Sequence, residues 1–229
     1  MKKFAAVILC IDIMLGLLLF LMLWNKPVIE EVQSVWQADC EKEVQKKKIA
    51  LTFDDGPHPY YTEELLDGLK ERGVVATFFV TGEHAVLHPE VIKRMHEEGH
   101  LIGNHTYSHI QLTKNNRAEF KEELMATSEV IEEMIEEEIN FVRPPYGSWD
   151  KGFEEELNMI PVLWTIDPMD WCTNHVEKVV DQVVQASGEN EIILLHDYYE
   201  SSVTAALRIV DELTLQGYEF VTVEEILFE

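Results

Sequence analysis

The chain is predicted to fold as an α/β protein with parallel strands, and three observations carry that prediction. From Lys48 onward, short β-type runs alternate with helical patterns, an order that implies parallel strands joined by right-handed crossovers. The strand runs are apolar without strict alternation, as expected of strands buried on both faces. The 229 residues allow one sizeable core and too little chain for two ordinary domains with linkers. About seven β/α units fit either a closed or distorted barrel or an open doubly wound sheet, and periodicity does not choose between them.

The first strand, Ile49–Phe53, runs into Asp54-Asp55-Gly56. Adjacent carboxylates repel and strands are depleted in Asp, so this ending suggests that a cation or a proton is held there. An Asp-Asp-Gly turn closing a hairpin is the competing reading. Thr62 reads as the N-cap of a helix that carries Leu65, Leu66 and Leu69 and ends at Gly73. Val75–Val80 is the second strand. The next helix starts near Pro89, uses Val91, Ile92 and Met95, and stops at Gly99. His100–Asn104 is a third strand. Asn116 reads as the N-cap of the clearest helix, with Phe120, Leu124, Ile131 and Ile135 on one face and a solvated run of Glu on the other. Phe141–Arg143 and Ile160–Ile166 follow as strands, and a helix carries Val179, Val180, Val183 and Val184. The apolar strand Glu191–Leu195 leads to a helix capped by Ser201 or Ser202 that runs to Gly217, and Phe220–Val223 is the last strand. No glycine-rich phosphate loop follows the first strand, which argues against nucleotide binding.

Ahead of this pattern, Met1-Lys2-Lys3 precedes an almost unbroken apolar run from Phe4 to Trp24. That run meets the length of about twenty residues needed to span a bilayer as a helix. It ends without an Ala-x-Ala pattern, and Trp24 suits a membrane interface, so residues 1–24 read as an uncleaved signal anchor with Lys2 and Lys3 inside. Bulky Leu9 weakens a lipoprotein reading of Cys10, and Asp12 within the span has no account. Residues 25–47 read as a polar stalk, leaving 48–229 as a single domain outside the cell membrane. Cys40 and Cys172 could pair there, or stay as two free thiols. The formal net charge of −25, from 43 acidic and 18 basic side chains, excludes a basic surface for nucleic acid.

Chemistry emerges from the polar residues that follow each strand. The first strand ends in Asp54-Asp55, the third runs into His105 and His109, and the fourth ends in Arg143-Pro144-Pro145-Tyr146. The fifth ends in Asp167-Pro168-Met169-Asp170-Trp171, and the sixth in His196-Asp197. In parallel α/β folds the C-terminal strand ends share one face, so carboxylates, imidazoles and a guanidinium converge. His105 and His109, four apart, place both rings on one side within a helical turn. With one carboxylate they make a two-His, one-Asp set that leaves positions open for water and substrate. His58, His84, His88, His96, His100 and His175 have no matched partners and are read as non-functional.

At these residues the sequence resembles the polysaccharide deacetylase family, carbohydrate esterase family four, over about Lys48 to Phe228. The family's motifs occur in order: TFDDG at Thr52–Gly56, HTYSH at His105–His109, RPPY at Arg143–Tyr146, DPMDW at Asp167–Trp171 and IILLH at Ile192–His196. The resemblance implies a distorted, incomplete (β/α) barrel of the seven-stranded type. It implies that Asp55, His105 and His109 bind one divalent metal, usually zinc, with cobalt, nickel or manganese as other candidates. It implies Asp54 as general base and His196 as general acid. The Tyr146 main-chain N–H would help hold the oxyanion, Arg143 orient Asp54, Asp170 orient His196, and Trp171 and Leu194 wall the acetyl pocket. Asp167 is read as a structural strand-end cap. Pro168, Met169 and Cys172 depart from the commonest pattern and bear on the substrate pocket. The expected function is removal of N-acetyl groups from an amino-sugar polysaccharide, peptidoglycan first, then chitin-like oligosaccharides, then acetylated xylan. A non-catalytic glycan-binding module would have lost a catalytic group, and none is lost here.

Overall fold

The computed structural model describes residues 46–228 together with Met14. Almost all of the signal anchor and of the stalk, with Cys10 and Cys40, lies outside the described residues. Among the described residues no helix is long and apolar enough to cross a membrane, and Cys172 is exposed and free.

The chain runs β1 (Lys47–Asp54), α1 (Tyr61–Arg72), β2 (Thr77–Val80), α2 (Gly82–Leu87), α3 (Pro89–Glu97) and β3 (Leu101–Asn104). It continues α4 (Arg117–Ile135), β4 (Phe141–Val142), α5 (Gly152–Leu157), β5 (Ile160–Pro161) and α6 (Val176–Ala186). It ends with β6 (Glu191–His196), α7 (Glu200–Leu215), β7 (Tyr218–Val221) and α8 (Val223–Phe228). The strands form one parallel sheet in the order β5-β4-β3-β2-β1-β6, with β7 also paired to β1. β7 takes Lys47–Ala50 of β1 and β2 takes Thr52–Asp54, while β6 runs along Ile49–Asp54. Ile49 and Ala50 pair with both β6 and β7, so these two lie on opposite edges of β1.

Ile160–Ile166 is not the single strand that its apolar run suggests. Its start pairs with β4, while at its end the Thr165 and Ile166 N–H groups donate to the Ile192 carbonyl of β6 and the Ile166 carbonyl accepts from the Leu194 N–H. Between those ends the main chain leaves the ladder, and the carbonyls of Val162 and Leu163 accept from Arg143 instead. The result is a half-barrel with parallel strands, bridged on its open side by an irregular segment.

Period-two alternation along β1 sorts its side chains. Ile49, Leu51 and Phe53 pack outward into the main core with Leu65, Leu69, Ile209 and Leu213 of the covering helices. Burying each such side chain contributes about 1.5–3 kcal/mol. Ala50 faces inward with Phe79, Phe141, Val162 and Ile192. Thr52 and Asp54 continue that inner face toward the C-terminal rim, as Leu194 and His196 continue it from Ile192 on β6. The strand sequence thus lifts polar groups from an apolar floor to the barrel mouth.

Several boundaries differ from expectation for local reasons. Thr62 lies inside α1 and does not cap it; its hydroxyl accepts the His58 N–H at 2.7 Å and donates to Asp197. Tyr199, not Ser201 or Ser202, stands at the N-cap of α7. The last strand ends at Val221, because Val223 already begins α8 with its N–H on the Thr77 hydroxyl. Asn116 does precede α4, but its side chain serves the Thr113 turn.

Candidate active site

The site lies where β1 ends. Asp54 is the last residue of the strand and is buried at 3% exposure. Its Oδ1 accepts from Arg143 Nη1 at 2.8 Å. Arg143 has no exposed surface. Nη1 also donates to the Thr52 hydroxyl at 2.6 Å, Nε to the Val162 carbonyl and Nη2 to the Leu163 carbonyl. The guanidinium lies 4.3 Å from the Phe79 ring centroid. A fully buried cation is tolerated only when paired and hydrogen-bonded in this manner.

Asp55 would face the outer helices if β1 continued regularly. Instead Asp55 itself adopts a left-handed φ of 75°, which turns its carboxylate to the same side as Asp54. The distortion that brings both carboxylates to one side is thus made by Asp55 itself. Gly56 is needed for space: a Cβ there would come within 2.3 Å of Asp197 Oδ2.

His105 and His109 reach Asp55 through a loop rather than the helical turn their spacing suggests. Thr106 and His109 have φ of 62° and 58°, and the two imidazole centroids are 5.0 Å apart. The loop is tied down by Asn104, whose Oδ1 accepts from the Thr106 N–H. Glu123 of α4 accepts from the Tyr107 and Ser108 N–H groups at 2.9 and 2.7 Å. Glu123 is thus an exception to the solvated Glu face.

Both His Nε2 atoms lie 3.3 Å from Asp55 Oδ1. His105 Nδ1 is 2.6 Å from the Arg143 carbonyl; a carbonyl only accepts, so the proton is on Nδ1 and Nε2 is a bare lone pair. Asp55 Oδ1 is buried and has no hydrogen-bond donor. Burial alone would raise the Asp55 carboxyl, but when the imidazoles are protonated His105, then His109 and His196, outweigh it and hold it at about 2. Burial, with the neighbouring His105, lowers the His109 pKa. One ligand atom from each of Asp55, His105 and His109 lies within 4.8 Å of the other two. An orphaned carboxylate oxygen facing imidazole lone pairs fits a divalent cation with two neutral nitrogens and one oxygen.

Opposite this cluster, His196 Nδ1 lies 2.8 Å from Asp170 Oδ1, and the His196 N–H donates to Asp170 Oδ2 at 2.9 Å. Burial pulls the His196 pKa down, but the Asp170 carboxylate, with Asp54 and Asp55 behind it, reverses this and pushes it up to about 9. The folded pKa then exceeds the unfolded value of about 6.5. The pair's stabilisation is therefore full below about pH 6.5 and is lost as pH rises through about 9. In the metal-free chain, Asp170→Asn is expected to destabilise more at pH 6 than at pH 10, as read by urea unfolding at both values.

Leu194 is buried two residues before His196 on the same face of β6. Trp171 is 51% exposed on the turn Asp170–Cys172 and lines a groove of about 510 Å³ with Asn174 and Tyr199, of which Leu194 is not a part. Tyr146 stands left-handed at φ 58° after Pro144-Pro145, with its ring edge-on to His109 at 5.0 Å. Asp167 accepts the Met169 N–H at 2.8 Å and closes the turn before Asp170.

Three residues at the site escape sequence reasoning. Thr52 passes a hydrogen bond from Arg143 to the Ile193 carbonyl. Asp197 is buried, Oδ1 has no partner, and burial pushes its pKa up to about 7. Its place directly after His196 was the one available signal. His84, set aside above as non-functional, has Nδ1 2.8 Å from the Asp55 carbonyl.

A parallel half-barrel whose strand ends gather two aspartates, two histidines and a third, carboxylate-held histidine defines a hydrolase-type site in an α/β fold. The family model for polysaccharide deacetylases matches residues 41–162, and the chain belongs to that family. It is 40% identical over 181 residues to the peptidoglycan-N-acetylmuramic acid deacetylase PdaC of Bacillus subtilis, covering 79% of this chain and 39% of that protein. It is 36% identical over 206 residues to a peptidoglycan-N-acetylglucosamine deacetylase of Bacillus cereus, covering 86% of this chain and 96% of that protein. The solved structure of the B. subtilis PdaC deacetylase superimposes with a TM-score of 0.77 at 40% identity, over 80% of this chain and 91% of that one. The chain therefore spans about two fifths of full-length PdaC.

Proposed function

We propose that this chain is a metal-dependent N-deacetylase of amino-sugar polysaccharides, with peptidoglycan as the substrate. The observation that carries the reading is a meeting of three groups at the end of β1. They are the Asp55–His105–His109 cluster, the Arg143-held carboxylate of Asp54, and the His196–Asp170 pair. Asp55, His105 and His109 would hold a zinc ion, which when bound would supply Lewis acidity and lower the pKa of water toward about 7.

The chain's own residues do the rest. Asp54 is kept off the cluster by its bond to Arg143 and takes the proton of the attacking water as general base. The main-chain N–H of Tyr146 is assigned to the carbonyl oxygen that gains negative charge. His196, protonated through Asp170, gives its Nε2 proton to the sugar nitrogen as the C–N bond breaks. Water and the amide thus become acetate and a free amine. Trp171 and Leu194 are assigned to the acetyl methyl.

The names of the B. subtilis and B. cereus relatives support a wall glycan over xylan as substrate. A signal anchor at residues 1–24 would hold the domain outside the cell membrane and near the wall. The test is hydrolysis of peptidoglycan, chitooligosaccharide and acetylated xylan by the full chain. Acetate and new primary amine are expected in equal amounts from peptidoglycan. Acetate without amine, or release from xylan alone, would contradict the proposal.

A further inference from the structure

The turn that joins β2 to α2 is bonded to both loops of the Asp55–His105–His109 cluster. Thr81 N–H donates to the Gly56 carbonyl at 3.1 Å, Gly82 N–H to Thr106 and Glu83 N–H to Tyr107, both at 3.0 Å. Gly82 permits this approach, because a Cβ there would come within 2.4 Å of the Tyr107 ring and 2.6 Å of the Thr127 hydroxyl. Two residues after Gly82 comes His84. Its Nδ1 is 2.8 Å from the Asp55 carbonyl and 3.0 Å from the Thr81 hydroxyl. The carbonyl has no proton to give, so Nδ1 carries the hydrogen and donates it. Tyr198 stacks on the imidazole at a centroid distance of 5.4 Å and 29° between planes, which fixes the ring's rotation.

We propose that His84 is a positioning residue for metal binding: its Nδ1–H holds the Asp55 main chain so that the carboxylate meets His105 and His109. This inference rests on reading those three residues as metal ligands. His84 is not itself a member of the ligand cluster. Asp55 carries a φ of 75°, a conformation that a residue with a side chain keeps only when its surroundings enforce it. Released, Asp55 would relax toward the strand geometry of Asp54, and its side chain would swing to the opposite face. The carbonyls of Asp55 and Gly56 are the handles that prevent this, and one turn holds both.

Zinc titration of the full chain against a chromophoric chelator tests the proposal, with melting of the metal-free protein measured alongside. His84→Phe keeps the ring against Tyr198 and removes the donor; it is expected to weaken zinc binding about 10- to 100-fold. His84→Asn places an amide N–H where Nδ1 sits and is expected to bind zinc like the parent. His84→Gln carries its donor one bond further out and is expected to behave like His84→Phe, for which it substitutes if that variant does not fold. Metal-free melting temperatures of the Phe and Asn variants should agree. Undiminished zinc binding by His84→Phe, or an Asn variant as weak as the Phe variant, overturns the positioning role alone. A parent chain that binds no zinc overturns the ligand reading beneath it as well.

Discussion

Asp54→Asn is expected to lower kcat by about 10²- to 10⁴-fold while zinc binding changes by less than about tenfold. Asp55→Asn is expected to weaken zinc binding by more than about a hundredfold. The two residues are chemically identical neighbours, so the contrast must come from where the chain aims them. Asp54 keeps strand geometry and meets Arg143 at 2.8 Å; its nearer approach to His105 Nε2 is 3.9 Å. Asp55 turns through φ 75° and lies 3.3 Å from both imidazole nitrogens. Parallel titrations of zinc and steady-state kinetics on both variants check the division. Equal loss of zinc affinity in both would show that the two carboxylates share one task.

Arg143→Met is expected to destabilise the fold by about 3–5 kcal/mol, read by urea unfolding. The loss comes less from the removed cation than from what it leaves: a buried Asp54 without its donor and two carbonyls, of Val162 and Leu163, without theirs. Arg143→Lys should rescue little, since an ammonium cannot reach four acceptors through a planar fork or lie flat on Phe79. The double variant Arg143→Met with Asp54→Asn should cost less than the sum of the singles, because each removes the other's reason for needing a partner. Simple additivity would mean that Arg143 acts only by filling space.

Much of this site could be read from the sequence, because parallel α/β topology delivers strand ends to one rim and the motifs sit at those ends. Asp54, Asp55, His105, His109, Arg143, Asp170 and His196 all follow from that rule. The misses share a physical cause. Thr62 meets Asp197 across 135 residues, Thr52 meets Ile193 across 141, and His84 meets Asp55 across 29. Such contacts leave no period and no local propensity, only an unremarkable residue at a helix start or mid-strand. Glu123 was hidden by its company: within a run of solvated glutamates nothing marks the one that accepts two loop N–H groups. The Ile160–Ile166 run misleads for the reverse reason. Its composition suits a strand throughout, but Arg143 claims two of its carbonyls and interrupts the ladder. Left-handed Asp55 and His109 were likewise hidden, since non-glycine residues adopt that conformation under tertiary constraint rather than by preference.

The most direct test is acetate release from peptidoglycan by the full chain before chelation, after it, and after zinc is restored at one ion per chain. Activity is expected to fall to background on chelation and to return with zinc in the parent, but not to return in Asp55→Asn. Release that continues undiminished in the metal-stripped parent would contradict it.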